Sequence, residues 1–213
     1  FTEIFVAENL ALFDLGAAFV HVQVRAADVG GGDLHERVGG LFELRVGDEC
    51  LASSLTTPEA PDLQALFAVM VERGVSAAAM EVSSHSLALG RVGGTAFDVA
   101  VFTNLSQDHL DFHADLEDYF RAKASLFMPP VIGVVNVDDK YGRRLAKSAP
   151  VPVTTFSAAG QDDADWRAAD VGTEPDGGQH FTALTPDGPV PVRLQLPGSF
   201  NVANALVALA SLA

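Results

Sequence analysis

Lysine and cysteine are among the scarce residues of this chain, three and one among 213, and each scarcity narrows what the protein can be. A single cysteine, Cys50, excludes a disulfide framework and a cysteine-based zinc site, and it suits a reducing compartment. Thirteen basic residues against 28 acidic ones leave a formal charge of -15, which repels a phosphate backbone and argues against nucleic-acid binding. No apolar run approaches the ~20 residues that a membrane-spanning helix needs, and the amino terminus has neither the basic flank nor the cleavage site of a signal peptide. The expectation is a soluble cytoplasmic protein with no nucleic-acid and no membrane partner, its oligomeric state unknown. There are no internal repeats and no low-complexity segments. A chain of this length can bury one sizeable core.

The pattern centres on residues 78–123. Two apolar runs, residues 77–80 and 99–102, each end in a polar cluster, Glu81-Val82-Ser83-Ser84-His85 and Thr103-Asn104-Leu105-Ser106-Gln107-Asp108-His109. Buried parallel strands look like this when they deliver chemistry at their carboxyl ends, the interior taking apolar residues and the crevice beyond it polar ones.

Upstream, residues 1–19 are apolar with weak helical spacing at Ile4, Leu10, Leu12 and Leu15, and Val20, Val22 and Val24 then alternate as in a short strand. A glycine-rich loop at Gly30-Gly31-Gly32-Asp33 comes next, then a hairpin around Gly47-Asp48 returning through Cys50. From Thr56-Thr57-Pro58 a helix with Leu63, Leu66, Phe67 and Met70 on one face runs to Gly74. Residues 116–127 form a second amphipathic helix ended by Pro129-Pro130, residues 131–137 a strand, 141–147 a helix and 151–156 a further strand. Strands alternating with helices predict a mostly parallel sheet covered on both faces, an α/β fold. Residues 166–171, 180–184 and 190–196 then read as a small antiparallel subsheet, and Pro197-Gly198-Ser199-Phe200-Asn201 opens a last helix.

Taken singly, the chemical residues have plain readings beside functional ones. Glu81 lies between apolar neighbours, where a bare carboxylate is costly without a cation or donor, yet a helix-capping or surface acid fits as well. His109 fits a turn histidine. Lys123 shares a helical face with Tyr119 and Phe120, where a snorkelling lysine is the common case.

The motifs TTPEAPDL, AMEVSSH, FDVAVFTNLSQDHLDFH, YFRAK, GVVNVDD and PGSFNVANAL, in this order, resemble the central ATP-binding domain of the Mur ligases over residues 47–213. The branch they resemble most adds a diamino acid, diaminopimelate or alternatively lysine, to UDP-MurNAc-dipeptide in peptidoglycan synthesis; folylpolyglutamate synthase is the enzyme runner-up. The resemblance implies ATP and Mg2+ as cofactors and an acyl phosphate that the incoming amine attacks. It places Glu81, His109 and Lys123 at the magnesium, Lys123 carbamylated by carbon dioxide into an oxygen ligand that a hard cation prefers. Thr56, Thr57, Ser83 and Arg91 match positions that hold the UDP-MurNAc-dipeptide, their hydroxyls and guanidinium suiting phosphate and carboxylate oxygens. Asn104, Asn201 and Asn204 match nucleotide-binding positions.

The departures are as telling. Mur ligases carry a Gly-rich loop ending in Gly-Lys-Thr/Ser that cradles the ATP phosphates, but none of Lys123, Lys140 and Lys147 comes after a glycine. Residues 1–46, where that loop is expected, show no resemblance to the family's motifs, and the expectation is a chain without the amino- and carboxyl-terminal ligase domains. The expectation is a partial ligase, inactive alone; a non-catalytic uridine-nucleotide-binding module or a structural remnant are the alternatives.

Overall fold

A computed structural model of the chain describes residues 57–75, 77–105 and 112–213, and upstream of them only the backbone of five short strands. These are β1 (Ile4–Phe5), β2 (Ala18–Val22), β3 (Val38–Gly40), β4 (Arg45–Val46) and β5 (Glu49–Cys50). Next come α1 (Ala60–Glu72), β6 (Ala77–Val82), α2 (Ser84–Ala88), β7 (Val99–Phe102), α3 (Leu116–Ala124), β8 (Ile132–Asn136), α4 (Lys140–Ser148) and β9 (Val153–Ser157). The chain closes with β10 (Trp166–Thr173), β11 (Gln179–Thr185), β12 (Gly188–Leu194) and α5 (Phe200–Leu212).

Among the described residues the strands join one sheet, in the order β1-β12-β11-β10-β9-β8-β7-β2-β6-β3-β4-β5. Strands β7, β8, β9 and β10 run parallel in succession, and β3 runs parallel to β6. The β4–β5 hairpin pairs Arg45 with Cys50 and Val46 with Glu49 across Gly47-Asp48, as the turn signal indicates. The carboxyl-terminal strands β10, β11 and β12 pair antiparallel, as expected, and β10 joins them to the main sheet through its parallel pairing with β9.

The alternation of side chains along the parallel strands sorts the core into two faces. On one face Ala100, Phe102 and Val135 pack with Met80 and Val82 of β6 beneath Leu63 and Met70 of α1, Tyr119 and Phe120 of α3 and Leu145 of α4. On the other, Val101 and Val134 pack with Phe156, Phe181 and Val192 against Val202, Leu206 and Val207 of α5. Helices thus cover both faces, as parallel strands require.

Local chemistry sets the element ends. Gly74 takes the left-handed conformation with φ of 73° and donates to the Val71 carbonyl, stopping α1. Asp115 and Asp139 cap α3 and α4, the Asp139 Oδ1 accepting from Tyr141 and Gly142 amides at 2.7 and 2.9 Å. Helix α3 ends at Ala124, ahead of Pro129-Pro130, because the chain turns through Ser125 and Leu126 to bury Phe127 against β8. Helix α2 is additional to the elements read from sequence; Ser83 nucleates it by accepting from the Ser86 amide. Ile4–Phe5 is a strand, not the helix that the apolar spacing suggested; its wider context and the Gly30-Gly31-Gly32 loop lie outside the described residues.

One strand departs from the expected parallel arrangement. Strand β2 sits between β6 and β7 and runs antiparallel to both, with Ala18 opposite Val82, Val22 opposite Ala78 and His21 opposite Val99. Its carboxyl end therefore leaves the sheet at the edge where β6 and β7 begin. No described helix is long and apolar enough to cross a membrane.

Candidate functional site

The carboxyl ends of β6, β7, β8 and β9 share one edge of the sheet. Beyond β8, the Asp138 carboxylate binds the neighbouring strand end, accepting from the Ser157 hydroxyl at 2.5 Å and the Ala158 amide at 2.9 Å. These two strand ends are locked by their own hydrogen bonds. The ends of β6 and β7 carry the candidate chemistry.

At the end of β6 a small network forms around Thr57. Its hydroxyl donates to the Glu81 carbonyl at 3.0 Å and accepts from the Ser83 amide at 3.3 Å. Thr57 is buried, so the hydroxyl substitutes for a missing ladder partner where β6 gives way to α2. Arg91, just after α2, donates to the Thr57 carbonyl at 3.4 Å and lies 2.9 Å from Glu59, a close ion pair that is not aligned as a hydrogen bond. Thr57, Glu81, Ser83 and Arg91, singled out separately in the sequence, are thus one connected unit. The Ser83 hydroxyl is engaged with the Ser86 amide, and the Ser84 hydroxyl beside it is buried without a partner. Thr56 lies outside the described residues.

The second group lines α3. Lys123 is only 1% exposed, which corrects the snorkelling reading: its Nζ sits over the Tyr119 ring, 5.1 Å from the centroid, one helical turn away. On that same ring lies the imidazole of His113, nearly parallel at 16° and 5.1 Å between centroids. His113 Nδ1 is 3.2 Å from Asp118 Oδ2. That hydrogen bond is the largest cause holding the Asp118 carboxyl below the ordinary value of 3.8. His85 of α2 approaches His113 at 5.9 Å and Phe112 at 4.0 Å between ring centroids, so the α2 and α3 groups meet through these rings.

His113 and Asp118 were not singled out in the sequence, where they sit in the DFH and helix-start segments. The available signal was a histidine embedded next to Phe112 just ahead of a capped helix. His109 lies outside the described residues. Among the described residues no three His, Cys, Asp or Glu side chains cluster to hold a metal.

The remaining predicted residues lie elsewhere. Asn104 comes just after β7, half-buried. Asn201 and Asn204 occupy the first turn of α5, where the Asn201 amide donates to the Pro197 carbonyl at 2.7 Å and the Asn204 amide to Asn201 Oδ1 at 3.1 Å. Their amides fix the turn that starts α5.

A family profile described as "Mur ligase middle domain" matches residues 32–212. Over 177 residues the chain is 59% identical to a protein of Streptomyces avermitilis named UDP-N-acetylmuramoyl-L-alanyl-D-glutamate--2,6-diaminopimelate ligase, a match covering 82% of this chain and 35% of that one. A protein of the same name from Corynebacterium glutamicum is 51% identical over 180 residues, covering 82% and 34%. A solved structure titled as that ligase superposes with a TM-score of 0.71 at 32% identity, covering 83% of this chain and 37% of that one. The chain spans about a third of the length of these curated relatives.

Proposed function

Because the chain belongs to the Mur ligase middle-domain family, we propose that it is the central domain of a ligase joining a diamino acid to UDP-MurNAc-L-Ala-D-Glu in peptidoglycan precursor synthesis. The amide forms at a carboxylate that ATP activates as an acyl phosphate, in the cytoplasm. Diaminopimelate is the amino acid in the names of both curated relatives above; lysine is the alternative.

The observation that carries the reading is the burial of Lys123 on α3, the helix that contacts α2. A lysine kept 1% exposed against an aromatic ring is held out of bulk water, a setting that suits a reactive amine. Carbamylation turns it into an oxygen ligand, and Glu81, His109 and the Lys123 carbamate would then hold magnesium, a hard ion that takes oxygen donors. When bound, that ion neutralises phosphate charge during transfer. The Thr57–Ser83–Arg91 unit, with Thr56, offers hydroxyls and a guanidinium to the oxygens of the nucleotide-linked dipeptide.

The residues present do not fit the phosphates of ATP. No lysine comes directly after a glycine, and the strand between β6 and β7 runs backwards, its carboxyl end at the edge away from Glu81. No phosphoryl step is therefore assigned to this chain alone, although Asn104, Asn201 and Asn204 remain candidates for the nucleotide's base. Residues 1–46 are set apart from the ligase-like remainder in this reading, although the family profile reaches back to residue 32. The reversed β2 also favours a second reading, a non-catalytic module keeping part of the acceptor pocket, which uridine-nucleotide binding without ATP turnover would distinguish.

The test is Lys123→Ala in a chain restored to full length. Ligation is expected to fall to background and to recover in part when a short carboxylic acid fills the carbamate's place. Near-normal activity with no added acid would contradict the assignment.

A further inference from the structure

Glutamate is a poor residue for a helix N-cap, where short acceptors such as Ser, Thr, Asp and Asn serve best. Glu59 holds that position on α1, and its side chain makes no cap hydrogen bond. Only its backbone serves the helix, the Glu59 carbonyl accepting from the Leu63 amide at 2.9 Å. The carboxylate lies instead 2.9 Å from Arg91 Nε. Arg91 is fixed from its own side as well. Gly90, left-handed at φ of 69°, ends α2, with the Arg91 amide donating to the Ser86 carbonyl at 2.9 Å and the Gly90 amide to the Leu87 carbonyl at 3.2 Å. This glycine-dependent closure ties Arg91 to the helix it leaves. An acid at the start of one helix and a base at the end of another are thus paired.

The geometry of the pair decides what it can do. The Arg91 side chain is 18% exposed and that of Glu59 54%, so water screens the acid more than the base. The acid approaches Nε, the inner nitrogen, without hydrogen-bond alignment, and Nη1 donates to the Thr57 carbonyl at 3.4 Å. An acid seated on the outer fork, the part of a guanidinium that engages paired oxygens of a carboxylate or phosphate, would compete with an anionic ligand. An acid at the inner nitrogen steadies the fork without occupying it. Resting on the acceptor reading above, we propose that Glu59 is a positioning residue for Arg91, holding the guanidinium so that its outer donors meet anionic oxygens of the nucleotide-linked dipeptide.

The experiment measures the dissociation constant of UDP-MurNAc-L-Ala-D-Glu by calorimetry, without ATP, in a chain restored to full length, with thermal melting of each variant alongside. Glu59→Asp keeps a negative charge at the start of α1, where the shorter acid caps better, but withdraws it from Arg91. Glu59→Gln keeps the reach and loses the charge. Both are expected to bind about fivefold more weakly, the scale of a partly exposed ion pair, while Glu59→Asp melts no lower than wild type. In an Arg91→Ala background either change is expected to alter the constant by less than about twofold. The same loss with UDP-MurNAc-L-Ala would place the phosphates at Arg91, and a loss confined to the dipeptide would place the D-glutamate carboxylate there; both uphold the role. Wild-type or tighter binding by either variant, or an undiminished loss in the Arg91→Ala background, would overturn it and leave the acceptor reading standing. Failure of the restored wild-type chain to bind the nucleotide at all would remove that reading as well.

Discussion

The Thr57 hydroxyl bonds the carbonyl and the amide on either side of Val82, so replacing it strips two backbone groups at once. Thr57→Val keeps the shape and is expected to lower stability by about 1–3 kcal/mol, measured by chemical denaturation; a change near zero would mean that water or another side chain satisfies them. Asp118 gives a pH-dependent counterpart. Its carboxyl lies below the ordinary value of 3.8 when folded, so its contribution is fully present above that pH and is lost as the pH falls through the depressed folded value. Glu117, lowered from 4.5 mainly by its hydrogen bond with Arg144, has the same sign. Melting temperature is therefore expected to drop below about pH 4.5, and less steeply for Asp118→Asn; an identical slope would contradict a role for the His113–Asp118 bond. At this scale the sequence was legible where a residue is scarce or sits in a motif: Lys123 is one of three lysines. It was illegible where the partner is distant in the chain, as with Thr57 and Glu81, or where a lone histidine such as His113 carries no pattern.

Helix α4 packs unusually close to β8. A Cβ at Gly142 would fall 1.7 Å from the Asn136 carbonyl oxygen, so Gly142→Ala forces the helix off the strand and is expected to cost about 1–3 kcal/mol or more. Arg144→Ala, by contrast, removes an exposed ion pair to Glu117 and a stacking contact on Phe120 at 4.5 Å, and is expected to shift the unfolding midpoint much less, since solvent screens such a pair. Comparing the two variants by urea denaturation separates backbone approach from surface charge; equal effects would contradict the close packing. The strands from β6 to β9 and helices α1, α3, α4 and α5 were legible because apolar runs, caps and Gly74 mark them locally. The five-residue α2 was not, since its one signal is the Ser83 cap. The ending of α3 was misplaced because Phe127 packing, not the prolines beyond it, turns the chain.

In the molecule as a whole, the candidate site stands where parallel α/β sheets place their sites, beyond the carboxyl ends of strands that flank a change in strand order. Alternating strand and helix signals determine that position, and the sequence carried it. The direction of β2 was not legible, because alternation of Val20 and Val22 defines a strand but says nothing about which way it runs. Its reversal agrees with the missing Gly-Lys pair: both leave the β6–β7 edge with the proposed acceptor and metal residues and, among the described residues, no Gly-Lys turn. The most direct measurement is ligation of diaminopimelate to UDP-MurNAc-L-Ala-D-Glu, monitored by mass spectrometry, for this chain alone and for a chimera. The chimera carries residues 47–213 in place of the matching segment of the Streptomyces avermitilis relative. The expected result is product from the chimera and none from the chain alone. Product from the chain alone, or none from a folded chimera, would contradict it.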